Sequence, residues 1–430
     1  MIVVVGGGIT GLSLGWELER QGVDFVVLEA SDRAGGVIRS ADVDGHTLDW
    51  GPQRIRLTGD LEGLVKELGL EDELITAPEG LGISVYRDGK LRAIPYSLAG
   101  FVTADVLPFR SKLRALLEPF TAGPRPREKV SEYFTRKFGR GTYETIIGPL
   151  YGGLYSTDPA DMEVDLSLAH VLRQFKVGRS LLLRLLRRGG RISPPPACTF
   201  RDGMQALPEA LARRLGERFR SCSRVRSLEQ AGDGWRIALD DETAFDAHDV
   251  VLTTPAHVTA ELLRSFAPDA ADAASALKYN RLAMVHLEAE TDLQGNGFKV
   301  SFEDRHLALG GVTFNDSLFS RKNLYTAYLG GGWHPDLADR DDDTLARAAV
   351  EDFRLTTGFD ARPISVDRAE IPAWDTSWRA LDGFSLPDGL HVAANWTERP
   401  GIPGRLSQAR RVARAVATGR RAATAVSTVG

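Results

Sequence analysis

The sequence predicts an α/β protein in three parts: a Rossmann-like domain, a separate sheet domain and a helical lobe. Three observations predict it. The chain opens as strand, glycine turn, helix and strand. Residues 96–194 are mostly helical in spacing and break at Pro194-Pro195-Pro196. Residues 265–380 then return to strand patterns, Ala283 to Glu288 and Leu324 to Leu329 among them.

The first unit is the most informative. Ile2-Val3-Val4-Val5 is an apolar, β-branched run that leads at once into Gly6-Gly7-Gly8-Ile9-Thr10-Gly11. Leu14 and Leu18 then mark a helix, and Phe25-Val26-Val27-Leu28 ends at Glu29. With strand, turn, helix, strand and acid in register, this is a dinucleotide-binding unit. Gly6 allows the tight turn. Gly8 lets backbone approach a pyrophosphate, whose charge the helix N-terminus meets. Gly11 lets helix and strand pack closely, and Glu29 can bind ribose hydroxyls.

The stretch after Glu29 points to flavin rather than nicotinamide. Ala30-Ser31-Asp32-Arg33-Ala34-Gly35-Gly36-Val37-Ile38-Arg39-Ser40 resembles the acid, Gly-Gly and Ser/Thr signature of the flavin amine oxidase superfamily. A glycine pair lets backbone pass close to a flat ring. Arg33 or Arg39 is a candidate for flavin phosphate. Asp49 to Arg56 reads as a turn-rich strand exit suited to a cofactor.

A hydrophobic fraction of 43% supplies sizeable cores, and a net charge of −5 argues against a nucleic-acid partner. Cys198 and Cys222 are too few for a disulfide framework and read as reduced structural thiols. No metal set is spaced among the eight histidines. No G-x-S-x-G elbow supports a serine hydrolase. With no signal peptide before the first strand and no long apolar run, the expected address is cytoplasmic.

Further along, Leu61 to Leu70 has helical spacing, and Asp88-Gly89 joins a strand pair, Ile83–Tyr86 and Leu91–Ile94. Residues 110–191 carry 16 Lys/Arg against 8 Asp/Glu. The bias peaks from Val171 to Arg191, where Arg173, Lys176, Arg179, Arg184, Arg187, Arg188 and Arg191 meet no acid, with Leu181, Leu182, Leu183, Leu185 and Leu186 among them. That run reads as a membrane-surface helix, an anionic-substrate lining or a solvated face. After it, Met204 to Leu215 is helical. Strands are expected from Val225, at Trp235–Leu239, Asp249–Thr254 and His391–Trp396, before a last helix opened by Gly401-Ile402-Pro403-Gly404.

Taken in order, several blocks resemble the protoporphyrinogen/coproporphyrinogen oxidase family of flavoenzymes. They are Gly6 to Gly11, Gly35-Gly36, Gly51-Pro52 with Ile55-Arg56, Tyr86 to Leu91 with Pro95, and Lys112 to Phe120. Tyr151-Gly152-Gly153-Leu154-Tyr155-Ser156-Thr157-Asp158-Pro159 and Gly203 to Leu211 come next, ahead of Thr254-Pro255-Ala256. The resemblance implies an FAD enzyme that removes six electrons from a porphyrinogen, with oxygen as acceptor. It implies a Rossmann-like FAD-binding domain (1–75, 197–264, 382–430), an antiparallel-sheet substrate domain (76–95, 265–381) and a helical lobe (96–196).

Residue by residue, the resemblance carries over FAD contacts to Gly6, Gly7, Gly8, Ile9, Thr10, Gly11, Glu29, Ala30, Arg33, Gly36, Val37, Gly51, Pro52, Gln53 and Arg54. Val225 falls at the adenine contact, Trp378 near the flavin ring, and Gly401, Ile402 and Pro403 at its reactive edge. Phe298 and Tyr328 match walls around the macrocycle. Arg56 and Lys176, with Arg54, are candidate propionate partners, because guanidinium pairs well with carboxylate. No side-chain catalyst is required, since the flavin takes hydride and conjugation of the product drives the reaction.

The chain also departs from the family. Ala99 stands where some members carry a propionate-binding arginine. The basic run replaces a glycine-serine block, and Pro403-Gly404-Arg405 replaces an acidic turn. An amine oxidase stays open; such an enzyme is expected to offer an aromatic cage near the flavin, and Trp378 and Trp396 could be misread as one. So do a carotenoid-type desaturase with an apolar tunnel and a flavin-binding protein without turnover.

Overall fold

A computed structural model of the chain describes residues 1–174, 176–177, 179–187, 189, 194–398 and 400–419. Its centre is a five-stranded sheet in the order Phe219–Arg220, Phe25–Leu28, Ile2–Val5, Asp249–Leu252, Leu390–Val392, parallel throughout. The β-branched runs are continuous because both faces are covered. Val3, Val5, Val26 and Val250 pack to one side with Leu228, Trp235 and Ile237 of a three-stranded antiparallel sheet. Ile2, Val4, Val27 and Val251 pack to the other with Leu14 and Leu18 of helix Ile9–Arg20 and Ala409 of helix Ile402–Ala417. Alternate residues of one strand thus serve opposite cores.

A seven-stranded sheet forms the second layer, in the order Arg362–Pro372, Tyr279–Glu288, Leu324–Gly330, Leu309–Phe314, Gly297–Val300, Ser84–Arg87, Lys90–Ala93. The Asp88-Gly89 hairpin forms as the sequence predicts. Every pair is antiparallel except one. Gly297–Val300 runs parallel to Ser84–Arg87, where the early hairpin joins the sheet edge. Residues 265–381 also hold more than strands. Helix Asp342–Thr357 covers one face of the sheet with Leu345, Ala349 and Phe353. Asp341 caps it by accepting from the Thr344 amide, and Gly358 ends it in the left-handed region. Tyr325, Ala327 and Leu329 point to that helix. The alternating residues Tyr328 and Gly330 face away from it and line a cavity.

The described residues between 96 and 194 are mostly helical, including Phe109–Leu116, Val130–Phe138, Gly148–Tyr155 and Leu181–Arg187. Tyr143–Ile147 winds as one π-helical turn. Among the described residues, no helix is long and apolar enough to cross a membrane.

Candidate active site

Gly6 and Gly11 are where the first turn needs glycine. Gly6 has φ +111°, and a Cβ on Gly11 would fall 1.9 Å from the Gly6 carbonyl oxygen. The two glycine motifs then meet: the Gly35 amide donates to the Gly7 carbonyl at 2.9 Å. Gly8 differs, because its Cβ direction is open, with nothing within 4 Å. It caps helix Ile9–Arg20, which has no acid in its first turn, so its amides and dipole face an unneutralised space. Helix Ile402–Ala417 presents a second such N-terminus behind Gly401.

Both helix ends open into one cavity of about 1520 Å³. Single-ligand pockets are typically about 300–1,000 Å³, so this one has room for a dinucleotide and a second large molecule. From the nucleotide motifs it takes Gly6, Gly8, Ile9, Thr10, Glu29, Ala30, Gly36 and Val37. Gly51, Pro52, Gln53 and Arg54 line it further on, as do Val225, Gly401 and Ile402. Of the predicted substrate residues, Arg56, Phe298 and Tyr328 line it.

Glu29 is held from two directions. Oε2 accepts from the Gly7 amide at 2.6 Å, and Oε1 accepts from the Ser31 amide and hydroxyl, each at 2.8 Å. Gln53 is equally fixed: its amide donates to Thr326 Oγ1 at 2.8 Å, and its Oε1 accepts from the Tyr328 hydroxyl at 3.0 Å. Beside it, burial pushes His286 down to about 4, aided by repulsion from Arg321. Burial lowers Arg54 as well.

The charge of the walls is lopsided. Arg54, Arg56, Arg184, Arg224, Lys299 and Arg405 line the cavity, against only Glu29 and Glu370 among the described residues. No histidine or cysteine lines it among those residues. The remaining wall is largely apolar, with Met284, Ile371 and Trp374 among its members.

The flavin containing amine oxidoreductase family matches residues 9–427. Human protoporphyrinogen oxidase is 30% identical over 77% of this chain and 77% of its own length. The chain belongs to the porphyrinogen oxidase branch of that family. Spinacia oleracea protoporphyrinogen oxidase 1 is 27% identical, covering 82% of this chain and 70% of its own. Bacillus subtilis coproporphyrinogen III oxidase is 24% identical, covering 84% of each. A crystal structure provisionally named a protoporphyrinogen oxidase, from Exiguobacterium sp. 255-15, shares the fold at a TM-score of 0.78. It is 21% identical, with 97% of this chain and 99% of that one covered. The protein is an FAD-dependent oxidoreductase.

Seven predicted site residues do not line the cavity, among them Arg39, which pairs with Asp367 at 3.1 Å. Gly7 and Gly11 are sealed under the turn, where a Cβ on Gly7 would meet Glu29 Cβ at 2.7 Å. Arg33 turns back on its own loop, donating to the Ile38 carbonyl at 3.0 Å and the Gly36 carbonyl at 2.6 Å. It braces the glycine pair instead of reaching out. Trp378 is fully buried, with its indole N–H on the Trp396 carbonyl at 3.0 Å. Its stacked neighbour Trp374 takes the wall position. Trp396 is also fully buried, so neither tryptophan presents an aromatic wall to the cavity. Pro403 sits in the first turn of its helix, set back behind Gly401 and Ile402. Lys176 is exposed on a left-handed turn after helix Ala169–Gln174.

The basic run divides. Leu181, Leu182, Arg184 and Leu185 line the cavity, whereas Leu183, Leu186 and Arg187 are exposed. Arg188 and Arg191 lie outside the described residues. Three cavity residues had no motif to announce them: Trp374, Lys299 and Arg405. The signal for Lys299 was a lysine between Phe298 and Val300 in an otherwise buried strand. Arg405 is buried under the 394–398 loop, donating to the carbonyls of Ala394 and Glu398, and burial pushes it down to about 10.

Proposed function

We propose that this chain oxidises a porphyrinogen to the porphyrin in haem biosynthesis, with oxygen as the acceptor. Six electrons leave the macrocycle in two-electron steps, and oxygen is reduced to hydrogen peroxide. Bound FAD supplies the hydride acceptor. Glu29 would hold the ribose, with Val225 at the adenine end. The amides behind Gly8 would meet the pyrophosphate, and Gly401 and Ile402 would lie against the ring. The protein's part is orientation, exclusion of water and charge.

The observation that carries this reading is the wall itself: a large, apolar cavity with six cations against two carboxylates among the described residues. Such a wall attracts a flat, apolar polyanion and repels an ammonium substrate. It therefore favours a porphyrinogen over an amine within the same family. The test is anaerobic mixing of FAD-loaded protein with coproporphyrinogen III, protoporphyrinogen IX and simple amines. Rapid flavin bleaching by a porphyrinogen and none by amines is expected. Bleaching by amines alone would replace this reading with an amine oxidase.

An exposed apolar surface on the same fold supports peripheral membrane contact. Phe109 and Phe120 are 77% and 79% exposed, and Leu113, Leu116 and Leu117 are exposed with them. Arg110 is exposed beside Phe109, and no acid lies between Val106 and Leu117. The inner side of this helix contributes Ala115 to the cavity wall. An apolar face with basic residues fits an anionic bilayer surface, and peripheral contact there would bring a lipophilic substrate close to the cavity.

A further inference from the structure

Lys299 leaves strand Gly297–Val300 on the face opposite the sheet core and runs into the cavity between two glycines. A Cβ on Gly153, in helix Gly148–Tyr155, would lie 2.9 Å from its Nζ. One on Gly311, in the neighbouring strand, would lie 2.8 Å from its Cδ. Its ammonium stands 5.5 Å from the centre of the Tyr328 ring. Arg54 reaches the same corner, with one long contact of 3.4 Å to the Asn296 carbonyl. The two cations are close enough to repel each other.

Neither cation has a carboxylate partner among the described residues. The charged and titratable groups felt by Arg54 are Tyr328, Arg56 and Tyr96. Lys299 feels only Arg54. No hydrogen bond fixes its Nζ to the described residues. Elsewhere among the described residues, the buried cations Lys137 and Arg321 are paired with carboxylates, Glu118 and Asp49. Two adjacent, unpaired cations in an apolar wall are costly, because burial penalises each and their repulsion adds to it. An anion bound between them removes both costs.

We propose that Arg54 and Lys299 form a carboxylate clamp for acid side chains of the macrocycle, fixing which edge of the substrate enters the cavity first. The inference rests on the porphyrinogen reading above. It goes further by naming the pair that sets orientation, in a chain with Ala99 where some members carry an arginine. Arg54 supplies a planar fork for one carboxylate. Lys299, held straight by Gly153 and Gly311, supplies a point charge against the Tyr328 face.

The test uses FAD-loaded protein with K299M, K299R and R54Q. Steady-state kinetics with coproporphyrinogen III give KM and kcat. Equilibrium binding of the product coproporphyrin III and of its tetramethyl ester is monitored by tryptophan quenching. K299M is expected to raise KM and weaken binding of the free acid by about tenfold or more, the size of one lost charged hydrogen bond. Its kcat and flavin content should change little, and K299R should recover most of the loss. The tetramethyl ester, lacking the charge, should bind parent and K299M alike. R54Q gives an independent reading if K299M folds poorly. Unchanged KM and unchanged free-acid binding in both neutral variants would overturn the clamp and leave the porphyrinogen reading standing. A parent protein that carries FAD but neither binds porphyrin nor bleaches with any porphyrinogen would overturn that reading, and the clamp with it.

Discussion

Lys137 Nζ lies 2.7 Å from Glu118 Oε1, and neither side chain has exposed surface. The pair is a hub. Glu118 also accepts from the amides of Leu181 and Leu182, at 3.0 and 3.3 Å, and from the Ser180 hydroxyl. Lys137 donates in addition to the Arg179 carbonyl at 2.6 Å. A carboxylate at the start of helix Leu181–Arg187 satisfies its first amides. The basic, leucine-rich helix is therefore docked by its N-terminus, with Leu181, Leu182 and Leu185 turned to the cavity.

K137M should destabilise the protein by about 3–5 kcal/mol, because it strands a buried carboxylate. Adding Glu118→Gln should return part of that loss by removing the stranded charge. Urea unfolding of the parent, the single variants and the double variant measures it. A K137M stability within about 0.5 kcal/mol of the parent would show that the pair carries little of the helix docking.

Gly8→Glu should fold and lose FAD. Nothing stands within 4 Å of the new Cβ, and φ is −70°, so the backbone tolerates it. The carboxylate would instead occupy the space before the helix N-terminus and repel a pyrophosphate. Gly11→Ala, by contrast, should fail to fold, because its Cβ would overlap the Gly6 carbonyl. The parent should be yellow and release its colour on acid precipitation, since no histidine or cysteine among the described lining residues is available for a covalent bond. Colour retained on the denatured chain, or a yellow Gly8→Glu protein, would contradict these expectations.

The nucleotide unit was legible because its signal is local. Gly6 to Gly11 and Glu29 are close in sequence, and each glycine answers a steric demand of its own turn. The Asp88-Gly89 hairpin was legible for the same reason. Trp378 was misplaced because a tryptophan's environment depends on tertiary stacking; Trp374, four residues earlier, took the wall. Arg33 and Lys176 have the right chemistry, but the sequence does not say that Arg33 lies nearer to the Gly36 and Ile38 carbonyls than to a ligand, or that Lys176 is turned out to the surface. Helix Asp342–Thr357 carried a readable i, i+4, i+8 pattern in Leu345, Ala349 and Phe353, which the surrounding strand patterns obscured. Lys299 needed the strand's facing to be known, since its alternation with Phe298 and Val300 sends it to the cavity only once the core side is fixed.

His286 should make the protein acid-sensitive. It is fully buried, between Gln53 Nε2 at 3.4 Å and Ser365 Oγ at 3.0 Å, with Arg321 the charged group facing it and the Asp49 backbone beside it. Its value falls from 6.5 to about 4, so the unfolded chain binds the proton more readily than the folded one. Stability is then fully present above about pH 6.5 and is lost as pH falls toward 4. Between pH 7 and pH 5 the loss from this residue is about 2 kcal/mol. Urea midpoints across that range should fall more steeply in the parent than in His286→Gln, and equal slopes would remove the residue from the explanation.

Phe109→Ser with Phe120→Ser should reduce flotation with vesicles containing anionic phospholipid, while FAD content and unfolding midpoint stay near the parent's. Both rings are exposed, so removing them leaves no cavity in the core. Neutralising Arg187, which is also exposed, should add a salt-sensitive part to the loss. Arg184 should behave differently, because it lines the cavity and its neutralisation should change KM. Flotation unaffected by the double phenylalanine variant would leave this face without a membrane role.

Coproporphyrinogen III should be preferred over protoporphyrinogen IX, because four carboxylates answer a cation-rich wall better than two. One further charged contact predicts a kcat/KM advantage of about tenfold. The preference should depend on pH. Burial and the nearby Arg54 hold Lys299 down to about 8, so it carries its charge below that value and loses it as pH rises toward 9. Tyr328, pushed above its ordinary value by burial, stays neutral across this window. KM for coproporphyrinogen should therefore climb from pH 7.5 to pH 9, with the midpoint displaced upward by the bound carboxylate itself. In K299R the climb should vanish, since guanidinium keeps its charge. A parent KM flat to pH 9, or a climb that persists unchanged in K299R, would mean that Lys299 holds no carboxylate of the substrate.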